Sequence, residues 1–93
     1  MIQSFKCEDT AQLFRREPVR RLPLDIQRAA LRKLLLLHAA KSVEELRIPP
    51  GNRLERLKGG RAGAWSIRVN DQWRICFTWD GSNAHDVEIV DYH

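Results

Sequence analysis

Apolar residues follow two different spacings along this chain, and the change of period divides it in two. In the first half Ile26, Ala30, Leu34 and Leu37 recur at helical spacing, Leu31 and Leu35 widen the stripe, and Arg28, Arg32 and Lys33 take the polar side. This predicts a helix over roughly 24–40. Ile2 to Phe5 reads as a short apolar strand, and Asp9 and Gln12 stand at capping-box spacing ahead of a helix through Leu13, Phe14 and Arg16 that Pro18 stops. Ser42 and Glu45 repeat that spacing for a one-turn helix, ended by the turn Pro49-Pro50-Gly51-Asn52.

From Leu54 onward the period is two. Trp65, Ile67 and Val69 alternate with Ser66, Arg68 and Asn70; after a turn at Asn70-Asp71-Gln72, Trp73, Ile75, Phe77 and Trp79 alternate with Arg74, Cys76 and Thr78. An antiparallel hairpin follows, and Asp80-Gly81-Ser82-Asn83 turns the chain into a last strand near 86–91. Gly59, Gly60 and Gly63 read as a tight turn between strands. The predicted architecture is α+β, a single domain over 1–93, with an N-terminal strand and two main helices on the apolar face of a mainly antiparallel sheet. The three tryptophans have core parity.

Strand parity also sorts the charges. Arg68, Asn70 and Arg74 point away from the core, and Arg56 and Lys58, opposite Leu57 on a strand from Leu54 to Lys58, are predicted to join them. Val87, Ile89, Asp91 and His93 share a parity, so a regular strand aims Asp91 and His93 at the core side unless a bulge redirects them.

Charge sharpens this picture. The 93 residues carry 16 Lys and Arg against 12 Asp and Glu, and 12 of the 16 cations are arginine, whose rigid fork of donors suits phosphate. They cluster at 14–33 and 53–74, whereas 75–93 holds four acids and no cation. Arg15, Arg16, Arg20 and Arg21 form a basic stretch suited to docking nucleic acid or an acidic protein segment. No apolar run approaches the ~18 residues of a membrane span, and no signal peptide is expected. Cys7 and Cys76 therefore read as reduced thiols of a cytoplasmic protein.

Several chemistries lack their residues. The glycines near 60 have no following Lys-Ser or Lys-Thr of a phosphate loop, and His38, His85, His93 and the cysteines offer no metal-ligand spacing, so neither metal nor cofactor is expected. His38 reads as a helix-end partner. Asp91-Tyr92-His93 remains, three groups able to handle protons beside an arginine-lined face. RNA supplies its own nucleophile, the 2′-hydroxyl, so its cleavage needs only a base, an acid and cations for the charge developing on the phosphate.

These residues also resemble a known family. Leu57-Lys58-Gly59, the run Trp65-Ser66-Ile67-Arg68-Val69-Asn70-Asp71-Gln72-Trp73-Arg74-Ile75 and the ending Asp91-Tyr92-His93 are similar to the HigB toxins of bacterial toxin–antitoxin pairs. Met1-Ile2-Gln3-Ser4-Phe5 and Pro49-Pro50-Gly51-Asn52-Arg53-Leu54 fit as well. The resemblance implies a RelE-like fold and a ribosome-dependent endoribonuclease that cuts messenger RNA in the decoding site. It also implies a HigA antitoxin of helix-turn-helix type, through which the complex binds operator DNA. The functional residues it carries over are Lys58, Arg74, Asp91, Tyr92 and His93.

For these residues the expected roles are that Lys58 and Arg74 hold and neutralise the scissile phosphate, Asp91 orients His93 or shares its proton transfer, His93 is the leading acid/base group, and Tyr92 stacks on a base or packs. Some members have arginine at the place of Asn70 and histidine at the place of Glu55; Arg68, two residues earlier on the same face, is the expected substitute cation. Arg56 and Asn70 are expected to contact RNA with it. Two other readings fit the same residues: a gyrase-poisoning toxin on the same fold, and a non-catalytic module that binds RNA on its arginine face.

Overall fold

In helix α2 (Leu24–Ala39) the predicted stripe is the buried one: Ile26, Ala30, Leu34 and Leu37 are buried, whereas Leu31 is half-buried and Leu35 exposed. The structure is a computed structural model that describes residues 1–58 and 63–91. Pro23 precedes the first turn, and the Gln27 amide donates to Val19 O at 2.9 Å and Leu22 O at 2.7 Å, fixing the incoming loop.

The first helix, α1 (Glu8–Phe14), departs from expectation at both ends. Cys7 is its N-cap residue and Asp9 lies inside the first turn, so Asp9 and Gln12 form no capping box. Its end is a Schellman arrangement: Arg16 N–H donates to Leu13 O and Glu17 N–H to Gln12 O, each at 2.9 Å, with Arg16 in the left-handed region at φ 64°. The helix therefore stops before Arg16 and before Pro18 can act.

The sheet runs β1 (Glu55–Arg56), β2 (Ala64–Arg68), β3 (Trp73–Asp80), β4 (Asn83–Asp91), each strand antiparallel to the next in that order. The predicted N-terminal strand is instead two isolated parallel bridges to β4, Ile2 with Ala84 and Phe5 with Val87, held by Gln3 N–H to Ala84 O at 2.8 Å and Lys6 N–H to Val87 O at 2.9 Å. Ile67, Val69, Trp73, Ile75, Phe77, Ala84, Val87 and Ile89 form the buried face under the helices, with Trp65 and Trp79 half-buried against them. The core reading of all three tryptophans holds.

Two buried polar side chains tie the layers together. Thr10 is fully buried, and its hydroxyl oxygen accepts the Ile89 N–H at 3.0 Å. Thr10→Val keeps the shape but leaves that N–H without a partner, so a loss of about 1–3 kcal/mol in urea unfolding is expected; an unchanged midpoint would refute the role. Asn52 is also fully buried, donating to Leu46 O at 3.0 Å and Ile48 O at 3.4 Å and accepting from the Lys33 ammonium. It fastens the predicted turn, a 3₁₀ turn at Pro50–Asn52, to α2. The Ser42 and Glu45 capping box is present on the 3₁₀ segment Val43–Arg47.

Candidate nucleic-acid interface

The side of the sheet away from the helices carries the charge. Arg68 and Arg74 are cross-strand partners on β2 and β3, so both project to this side, as expected. Arg74 is nearly covered, at 7% exposure, which its parity did not foretell. Its Nε donates to Ser66 Oγ at 2.9 Å, and Nη2 to Arg53 O at 2.7 Å and Ser66 O at 3.4 Å; the Glu55 carboxylate lies 3.9 Å away. Beside it an open groove of about 450 Å³ is lined by Arg53, Glu55, Arg68, Asn70, Asp71 and Arg74.

The register of β1 corrects the expectation for Arg56. Glu55 pairs with Ser66 and Arg56 with Trp65, so Glu55 takes the groove side, while the Arg56 guanidinium lies 5.5 Å from the Trp65 ring centre on the opposite side. Arg56 does not share a face with Arg68 and Arg74. The predicted strand from Leu54 to Lys58 is in fact two residues long. Glu55 and Asp71 are the carboxylates lining the groove.

Asn70 and Arg68 are engaged in the β2–β3 turn. The Asn70 side-chain oxygen accepts the N–H groups of Gln72 at 2.9 Å and Trp73 at 2.8 Å, and Arg68 pairs with the exposed Asp71. This local role accounts for asparagine at position 70: its short side chain folds back on the turn, as a longer arginine cannot. Arg68 and Arg32 also act on Lys33, whose ammonium is held below its usual pKa first by burial and then by these two cations. The groove lining itself carries three arginines against two acids.

Residues 3–93 match the model of the HigB-like toxin family, described as RelE-like toxin of type II toxin–antitoxin system HigB. The chain belongs to the HigB-like toxin family. Toxin HigB-1 of Vibrio cholerae serotype O1 is 52% identical over 60 residues, 64% of this chain and 63% of that protein. Endoribonuclease HigB of Proteus vulgaris is 36% identical over 98 residues that cover both chains completely. An uncharacterised protein of Haemophilus influenzae is 30% identical over 67 residues, 72% of this chain and 66% of that one. Just under two thirds of the length of the Vibrio and Haemophilus proteins is thus spanned. Among solved structures, YafQ from E. coli strain BL21(DE3) superposes with a TM-score of 0.58 at 13% identity, covering 94% of this chain and 89% of the other. The YoeB/ParE toxin from Agrobacterium tumefaciens gives 0.53 at 17% identity, covering 99% and 96%. These establish the α+β RelE-like fold.

The five residues carried over from the HigB resemblance are not all gathered at the groove. Arg74 lines it; Lys58 does not. Lys58 is exposed and follows Leu57, whose N–H donates to Ala64 O at 2.9 Å, so alternation puts it on the Arg56 side. Asp91 pairs across the sheet with Trp73 and accepts from the Gln72 amide at 3.2 Å, whereas Val90 is the partner of Arg74. A bulge does interrupt β4, with Asp86 at φ 53° and two residues, Asp86 and Val87, facing Phe77. It ends at Val87, so Asp91 keeps the parity of Val87 and Ile89. Tyr92, His93 and the glycines 59 and 60 lie outside the described residues.

The predicted docking arginines of this HigB-like toxin divide into two kinds. Arg15 is bound to Glu8 at 2.7 Å and Glu17 at 2.8 Å, and its hydrogen bond holds the Glu17 carboxyl below the usual range. Arg21 pairs with Asp9 at 2.5 Å and lies 5.9 Å from the Trp73 ring centre. Arg16 and Arg20 are exposed and make no ion pair among the described residues. His38 is a partner at the end of α2, but for the N-terminus: its Nδ1 accepts the Ile2 N–H at 3.1 Å. Among the described residues no group of three or more His, Cys, Asp or Glu is placed to hold a metal, and no helix is long and apolar enough to cross a membrane.

Proposed function

We propose that this HigB-like toxin is an endoribonuclease that cleaves messenger RNA in the decoding site of the ribosome and so arrests translation and growth. The observation that carries the reading is the arginine-lined groove on the open side of the sheet, with the guanidinium of Arg74 fixed at its wall. The complete match to a relative named Endoribonuclease HigB supports the reaction class.

In the proposed reaction the 2′-oxygen of the ribose gives up its proton and attacks the adjacent phosphorus, the P–O5′ bond breaks, and the leaving 5′-oxygen takes a proton. The products are a 2′,3′-cyclic phosphate and a 5′-hydroxyl end. Arg74 and Arg68 meet the extra negative charge of the five-coordinate phosphate, with Asn70 as a further contact, while Lys58, on the Arg56 side, contacts the RNA outside the groove. His93 is the proposed proton donor, and Glu55 is the described groove carboxylate placed to accept a proton beside Arg74. Tyr92 stacks on a base. A groove this open leaves substrate positioning to the ribosome, which Arg16 and Arg20 contact. A HigA-type antitoxin silences the protein in the cytoplasm and links the complex to operator DNA.

Mapping messenger 5′ ends after expression without an antitoxin tests the reading. New 5′ ends within translated frames, absent when a ribosome-binding site is removed from the message, are expected. Broken DNA with intact messenger would point to a gyrase poison instead, and RNA bound but never cut, even on ribosomes, to a binding module.

A further inference from the structure

Arg53 was singled out by no functional motif, yet it contributes to the groove twice. Its carbonyl oxygen accepts Arg74 Nη2 at 2.7 Å, and its side chain lines the same groove. Of the three groove arginines it is the one whose guanidinium has no acceptor among the described residues, since Arg68 is paired with Asp71 and Arg74 is held by Ser66, by Arg53 O and near Glu55. It is exposed, and it follows a turn made rigid by the buried Asn52.

Its backbone is unusual as well. Arg53 sits in the left-handed region, at φ 45° and ψ 57°, where glycine or asparagine is the ordinary occupant. An arginine persists in such a place only where the surrounding structure holds it and the side chain has a use. The preceding residues hold it: Asn52 N–H donates to Pro49 O at 3.0 Å and Arg53 N–H to Pro50 O at 3.1 Å. An exposed guanidinium with no acceptor among the described residues, beside two other arginines, suits a phosphodiester oxygen.

We infer that Arg53 is an RNA-binding residue of this groove, its guanidinium taking a backbone phosphate next to the one at Arg74. The inference rests on the proposed ribonuclease reading for its substrate class. Arg68 and Arg74 spend guanidinium donors on the protein, whereas the Arg53 guanidinium spends none among the described residues. The main-chain carbonyl of Arg53 meanwhile orients Arg74, so the residue that carries one groove cation also positions the other.

The test uses the full chain and a short single-stranded RNA with 2′-O-methyl riboses, which binds but cannot be cleaved. Arg53→Asn removes the cation, retains the carbonyl that Arg74 needs and tolerates the left-handed backbone, so folding is preserved. Affinity is expected to fall about 3- to 10-fold at low salt, and the slope of log affinity against log salt to shrink by about 0.7, the value for one phosphate contact on a single strand. Arg53→Lys should recover most of the slope, and Arg47→Gln, which removes an exposed cation paired with Glu44, should leave both quantities unchanged. If Arg53→Asn binds with the affinity and slope of the parent, the inference is wrong even if the parent cleaves messenger. If the parent binds through Arg53 yet no messenger is cut on ribosomes, the nuclease reading fails and the Arg53 contact stands.

Discussion

Arg74→Ala is expected to lower the melting temperature by roughly 10–25 °C and to abolish cleavage, two effects with different origins that a second variant separates. The stability loss follows from burial. The guanidinium is hydrogen-bonded to Ser66 Oγ, Ser66 O and Arg53 O, and Ser66 is itself fully buried, so alanine leaves acceptors without donors and a cavity between β2 and the turn before β1. Charged hydrogen bonds of this kind contribute about 1.5–3 kcal/mol, and a total loss of about 2–4 kcal/mol is consistent with three partly coupled contacts. Arg74→Lys keeps the charge but not the fork: one ammonium cannot span Ser66 and Arg53 O in the same geometry. It should fold better than alanine and still cleave at least tenfold more slowly than the parent at a temperature where both are folded. A parent-like melting temperature for Arg74→Ala would remove the structural role, and parent-like cleavage by folded Arg74→Lys would remove the catalytic one.

The double use of Arg74 marks the boundary of what was readable in the sequence. Its side of the sheet was readable, because β2 and β3 alternate strictly and one face must meet the helices. Helix α2 was readable for the same reason, its stripe Ile26, Ala30, Leu34 and Leu37 being long enough to fix a period. Periodicity says nothing, however, about which partner a two-residue strand takes, and the Arg56/Glu55 exchange followed from the pairing of β1 with β2 alone. Nor do residue types announce left-handed backbone when Arg16, Arg53 and Asp86 occupy it in place of glycine. Arg53 was missed on that account, the one available signal being its place directly after Pro-Pro-Gly-Asn. Asn70 was read as a vacated cation site, whereas its oxygen is the cap that shapes the β2–β3 turn. Local side-chain hydrogen bonding to the backbone competes with function for short polar residues and is decided only by turn geometry.

His93→Ala is expected to slow messenger cleavage by about 10² to 10⁴-fold. The size follows from losing a positioned proton donor. As general acid His93 must be protonated, so the parent rate should fall as rising pH removes that proton, and His93→Ala should lose this dependence along with the rate. Asp91→Asn gives the contrast. Asp91 pairs with Trp73, on the side away from Arg74, and accepts from Gln72, so its effect should be a modest loss through placement of the following residues. Glu55→Gln acts from the opposite direction, since the carboxylate shares the groove with Arg74. Its removal should tighten binding of an uncleavable RNA by withdrawing a negative charge, and should reduce the single-turnover rate if it accepts the 2′-hydroxyl proton. Should His93→Ala retain the parent rate and pH profile while Glu55→Gln loses both, the proton chemistry belongs inside the groove and the chain end serves RNA binding.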